Sequence, residues 1–284
     1  MAGFLHALQT QTFMQNAVIV GLLASAACAM VGTYVVVKRI TFISGGIAHA
    51  VLGGMGVAYF LNRDPLAGAL VASIVAALII GIVSLRARQR EDTIIGALWA
   101  VGMAVGIVFM HKTEGYQVDL MNYLFGNILL VTRGDVFLTL ALDVGILGAV
   151  LLFYKRFLGI CFDEEFTRIQ GVQVDVFYLL LLCLIALTVV ILVQVVGIIL
   201  VIALLTLPAA TAGHYGRSLK QMMVIALVVG AACTTGGLAL SYPYDLPSGA
   251  TIVLIAGGVY LASTVLNGVL RRGASAAGKA RERE

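Results

Sequence analysis

The residue best equipped for chemistry is His49, in the stretch FISGGIAHAVLGGMG, residues 42–56. On a helix, the positions four before, four after and seven after it share its face, and these are Gly45, Gly53 and Gly56. One reading makes the strip a pathway lining, where a neutral imidazole offers a metal ligand to a narrow aqueous cavity. The other makes it a close packing surface, with the imidazole satisfied by an interhelical hydrogen bond. Glycine fits both. A second constellation is CFDEEFTRIQG, residues 161–171. Asp163 is a good N-cap, Glu164 and Glu165 suit the positive end of a helix, and Gly171 is a natural stop. Phe162, Phe166 and Ile169 follow at spacings of four and three, which makes one side apolar. Acidic residues are poorly matched to an anionic leaflet, so this helix is expected to dock into a groove on a cytoplasmic partner.

Three further groups are pathway or gating candidates. Asp143 lies mid-span in LALDVGILG, where a charge must face protein or water or be protonated, and helix bonding and a proton or ion role are both open. Pro208, in LLTLPAATAG, is expected to kink its span, with Thr206 and Thr211 placed to bond freed backbone groups. Asp245, in SYPYDLPSGA, sits in an expected outer turn punctuated by Pro243 and Pro247, where it would draw a cation or dock an outer protein. The sequence holds no phosphate-binding loop, no H-E-x-x-H and no G-x-S-x-G, so any ATP hydrolysis belongs to another chain. It also lacks a basic, aromatic-interleaved face for nucleic acid. Cys28, Cys161, Cys183 and Cys233 stand far apart and read as small apolar packers rather than as a zinc or disulfide framework.

These groups are held in a membrane. Of 284 residues, 61% are apolar and 11% charged, with mean hydropathy +1.05. A soluble domain carries about a quarter charged residues. Apolar runs bounded by charge give spans near 14–37, 42–61, 65–85, 93–110, 135–154, 176–194, 197–213, 221–241 and 249–270, each to be read against the roughly 20 residues that a bilayer requires. The fold class is therefore all-α, a polytopic bundle of eight or nine transmembrane helices, the pair within 176–213 being the doubtful one. With the N-terminus outside and nine spans, fifteen of the eighteen Lys and Arg fall inside, which favours that orientation and a cytoplasmic C-terminus. Two pieces are expected not to span: an outer segment at 115–131, suited to a short interfacial helix, and a small, charged tail at 271–284, expected to be disordered. Residues 1–270 then form one transmembrane domain.

Taken together, VGTYVVVKRITFISGGIAHAVLGGMG, FDEEFTRIQGV, QVVGIILVIALLTLPAATAG and SYPYDLPSGATIVL resemble, in order, the zinc/manganese/iron-type metal ABC transporter permeases, over residues 14–270. The resemblance implies a homodimer in the bacterial cytoplasmic membrane, paired with cytoplasmic ATPase subunits that bind ATP and with an extracytoplasmic metal-binding protein. It implies transport of a divalent metal, Zn or Mn, and no resident cofactor. His49 matches the histidine of the family's Asp-x-x-x-His motif, Gly45 stands where the aspartate would be, and residues 162–171 match the coupling helix. Pro208 matches a proline of the family without a ligand role. Losing the aspartate's oxygen leaves imidazole chemistry, which tilts the cargo toward zinc. The alternatives are an iron-siderophore or cobalamin permease, a proton-coupled carrier using Asp143, and an intramembrane enzyme using His49 and Asp143 as acid and base.

Overall fold

The computed structural model describes residues 2–86, 91–113, 126, 128–198 and 201–281. Among these the chain is helical throughout, without strands: α1 Ala2–Thr10, α2 Thr12–Lys38, α3 Thr41–Phe60, α4 Pro65–Arg86, α5 Glu91–Lys112, α6 Arg133–Phe162, α7 Glu164–Ile169, α8 Val174–Val196, α9 Val201–Gly213, α10 Leu219–Tyr244 and α11 Ser248–Arg281. Eight of these are long and apolar enough to cross a membrane. Three of them, α2, α3 and α8, are 67%, 72% and 67% buried along their membrane windows, and the other five are 17–33% buried. The buried three therefore form the centre, with α4, α5, α6, α10 and α11 around them.

The doubtful pair resolves into α8 and a separate, shorter α9, broken at Gly197 (φ 76). Thirteen residues at 1.5 Å each make α9 about 20 Å long, short of a hydrocarbon core of about 30 Å. Contacts across the bundle nonetheless require it to return. Lys38, ending α2, donates to the Ile160 carbonyl at 3.1 Å and pairs with Glu164. Ser84, late in α4, hydrogen-bonds Tyr178, early in α8, at 3.1 Å. Lys220, opening α10, stands 5.1 Å from the ring centroid of Tyr154 on α6. These groups share one face of the bundle, hereafter the Lys38 face. Tyr178 and Lys220 both lie on the Lys38 face, so α8 leads away from that face and the chain returns to it by way of α9. Gln11 and Tyr242, whose polar atoms lie 3.5 Å apart, mark the opposite face.

Three boundaries differ from the sequence expectation. Helix α6 runs to Phe162, past Lys155 and Arg156, because a charge ends an apolar run without ending a helix; Lys and Arg are good helix formers. Helix α10 continues through Pro243 to Tyr244, so the outer turn shrinks to a few residues at Asp245, which takes the left-handed conformation (φ 51) as C-cap. Helix α11 extends to Arg281, through Ala-rich sequence expected to be a tail. In the 115–131 segment, residues 115–125 and 127 lie outside the described residues, and Ile128–Leu130 form a 3-10 turn.

Close helix contacts depend on glycine. A Cβ on Gly32 would stand 2.1 Å from the Leu205 carbonyl oxygen, so α2 presses directly on the backbone of α9. On α3, a Cβ at Gly56 would meet the Gly106 carbonyl oxygen at 2.5 Å, and one at Gly53 the Gly102 oxygen at 2.9 Å. Helices α3 and α5 thus lie backbone to backbone through matched small residues, as membrane helices do when dispersion and close approach replace the hydrophobic effect.

Candidate functional site

His49 occupies the middle of α3 on the face toward α5 and is 6% exposed. Its ring stacks on the indole of Trp99 from α5, centroids 3.9 Å apart and planes 12° from parallel. Gly45 is one turn earlier on the same face. A Cβ there would meet Ile202 Cδ1 of α9 at 2.8 Å and Trp99 Cζ3 at 3.4 Å. The space an aspartate would need at position 45 is therefore bounded by Ile202 and the edge of the indole. His49 Nδ1 is buried without a hydrogen-bond partner, so ligation at that nitrogen would break no existing bond. Among the described residues no three His, Cys, Asp or Glu side chains cluster as metal ligands.

Gly53 and Gly56 serve the α3–α5 contact, and Gly45 lets Ile202 and Trp99 pack close against α3. The expected interhelical hydrogen bond at Nδ1 is replaced by an aromatic stack. Trp99 was not singled out from the sequence; the signal available was its rarity, as the only tryptophan in the chain.

The second site is α7, on the Lys38 face. Asp163 caps it, accepting from the Phe166 amide at 2.9 Å, and Gly171 ends the segment with φ +79. Thr167 seats the short helix against α6: its hydroxyl donates to the Asp163 carbonyl at 2.6 Å, and a Cβ on Gly159 would come within 2.5 Å of that hydroxyl. Lys38 ties Glu164 to the end of α2. A helix of six residues would not hold alone; capping and these tethers fix it. Phe162, Phe166 and Ile169 are 69%, 56% and 83% exposed, so the apolar side expected from their spacing turns away from the bundle. Glu165 is exposed beside them.

The other singled-out groups lie elsewhere. Asp143 is 6% exposed on α6, and both its carboxyl oxygens and the Thr139 hydroxyl one turn away are buried without hydrogen-bond partners. Cys28 of α2 is within electrostatic reach of it. Pro208 is buried in α9. Its missing N–H would free the Leu204 carbonyl, yet Thr206 and Thr211 donate to the Ile202 and Leu207 carbonyls, at 2.7 and 2.8 Å. Each hydroxyl bonds back one turn, the habitual geometry of Thr in a helix, rather than bridging the proline gap. Asp245 is exposed on the face opposite Lys38. His214, passed over in the sequence, joins the end of α9 to α11: its Nδ1 lies 2.8 Å from Ser263 Oγ, which donates to Tyr215.

The bundle thus carries at one end a short, capped helix tethered to α2 and α6 with its apolar side exposed. The sequence pattern of the ABC 3 transport family matches residues 10–267. The chain belongs to the ABC 3 transport family. This ABC permease is 49% identical over 251 residues to an uncharacterized membrane protein of Synechocystis sp., covering 88% of this chain and 89% of the relative. It is 35% identical over 253 residues to the manganese transport system membrane protein MntC of Halalkalibacterium halodurans, covering 89% and 87%. The solved structure of PsaBC from Streptococcus pneumoniae in complex with Fab aligns at TM-score 0.84 and 34% identity, covering 92% of this permease and 94% of that chain. The permease is thus a transport subunit, a multi-pass protein of the bacterial inner membrane.

Proposed function

We propose that the permease is the membrane half of an ATP-driven importer of a divalent transition metal. Two copies form the gated path, separate ATPase subunits dock on α7, and an outer binding protein delivers the metal. The observation that carries the reading is α7 itself: Phe162, Phe166 and Ile169 face outward on a helix that Lys38, Asp163 and Thr167 hold rigidly to α2 and α6. An exposed apolar face on a tethered helix suits the groove of a partner that pushes. In this reading the Lys38 face is cytoplasmic and the N-terminus outside, which the concentration of Lys and Arg on that face supports.

His49 is the metal ligand of the pathway, and Gly45 lets Ile202 and the Trp99 indole pack beside it. Imidazole without the neighbouring carboxylate favours zinc in ligand chemistry, whereas the relative in H. halodurans is named for manganese. Asp143 belongs to the α2–α6 contact, Pro208 lies in α9 toward Gly230 of α10, and Asp245 belongs to the outer surface. The test is uptake of labelled zinc and of labelled manganese in cells carrying the permease with its ATPase and binding protein, wild type against His49→Ala. Uptake that depends on ATP and drops at least tenfold in the variant is expected. Metal movement without nucleotide, or wild-type uptake by His49→Ala, overturns the reading.

A further inference from the structure

On the flank of the bundle away from α3 and α5, a groove of about 930 Å³ opens between α2, α6 and α10. That volume is on the scale of a ligand site. Its walls are apolar, from Met30 on α2, Leu147 and Leu151 on α6, and Met223 and Leu227 on α10. Its mouth on the Lys38 face carries Lys155, Arg156 and Lys220. All three are exposed, and among the described residues none of them is in an ion pair. Aromatic rings hold two of them in place: the Lys220 ammonium over Tyr154 at 5.1 Å, and the Arg156 guanidinium over Phe177 at 4.8 Å and Phe153 at 5.3 Å. From Lys155 down to Leu147 the helix falls eight residues, about 12 Å, close to the depth of one leaflet's hydrocarbon, roughly 15 Å.

We infer that this groove is a binding site for an anionic phospholipid of the leaflet on the Lys38 face. The phosphate sits among Lys155, Arg156 and Lys220, and an acyl chain lies along the slot between Leu151 and Leu227. Basic clusters between transmembrane helices at the membrane surface are matched to such headgroups. Charge decides against a second copy of the chain as occupant. A two-fold axis through this groove would set the same patch against itself, bringing these three cations against three more.

The experiment uses the full-length permease with its ATPase, purified in mild detergent and offered equimolar phosphatidylglycerol and phosphatidylcholine, with retained lipid read by native mass spectrometry. Each cation is worth about a fivefold gain toward anionic lipid, so a preference of tenfold or more for phosphatidylglycerol is expected. Lys155→Gln/Arg156→Gln/Lys220→Gln should bring the ratio to about one. Leu227→Trp, which fills the slot and keeps the cations, should lose both lipids. Circular dichroism and ATPase association report whether each variant is folded. Equal retention of the two lipids by the wild type, or unchanged retention in both folded variants, overturns the inference. Efficient disulfide cross-linking of Leu151→Cys between two permease chains would also overturn it, because the groove would then be covered by protein.

Discussion

Restoring the carboxylate at position 45 tests whether Trp99 has taken the space that the family aspartate would use. In Gly45→Asp the new Cβ meets Ile202 Cδ1 at 2.8 Å, so that methyl must yield about 0.6 Å to reach ordinary contact, and the carboxylate enters the space bounded by the indole. Overpacking of this kind costs about 1–3 kcal/mol. Trp99→Ala alone removes the stack on His49, about 0.5–1.5 kcal/mol, together with the burial of a half-buried ring. The double variant gives the carboxylate room, so the two changes should couple favourably by about 1–2 kcal/mol. The assay is a double-mutant cycle on unfolding in mixed micelles, with uptake of labelled manganese measured in parallel. The double variant should be more stable than the sum of the singles predicts and should move manganese at least as well as the wild type. If the costs simply add to within about 0.5 kcal/mol, the indole does not occupy the carboxylate's place and the account of Gly45 fails.

Replacing Phe166 and Ile169 by Ala should leave unfolding within about 0.5 kcal/mol of wild type, since both are exposed. The same change should weaken ATPase association about tenfold or more in a pull-down titration; unaltered association would remove α7 from the interface. Gly56→Leu, whose Cβ meets the Gly106 backbone, should cost about 2 kcal/mol or more, whereas Gly96→Ala on α5, with nothing within 4 Å, should be neutral or stabilising by up to about 1 kcal/mol. Equal effects would mean that α3 and α5 do not depend on close approach. Asp143→Asn keeps the side chain's shape and removes the charge, so stability should hold or rise and ATP-driven uptake should persist, including when the proton gradient is dissipated. Uptake that vanishes on dissipation while ATP is held constant would move Asp143 onto the transport path.

What the sequence made legible follows from how strongly each feature is written in single residues. Membrane solvation writes spans in long runs, so the ends of α2, α3 and α4 fall within two residues of expectation. The α7 apolar side and its Asp163 cap were legible because capping and helical spacing are local. Boundaries set by continuation were not: Lys155 and Arg156 looked like an end, yet both are good helix formers and the helix runs on to the contact of Gly159 with Thr167. Pro243 looked like a turn, but the helix runs only one residue beyond it, so its cost is confined to the lost bond to the Ala239 carbonyl at the helix end. Partners from distant sequence could not be read at all. Nothing in the residues around His49 announces Trp99, fifty positions away, and nothing around His214 announces Ser263. The same limit applies to Gly45, whose absent side chain gains meaning only from Ile202 and Trp99.

The stack of Trp99 on His49 has an optical consequence. With one tryptophan in the chain, the tryptophan emission of the purified permease comes from a single position, and that indole lies face to face with the imidazole at 3.9 Å. Protonating, ligating or displacing His49 alters the quencher against the fluorophore, so the molecule carries its own label-free reporter at the place where cargo is proposed to pass. Titrating metal into the permease while following that emission, with His49→Ala as the unquenched reference, would resolve arrival and departure in real time.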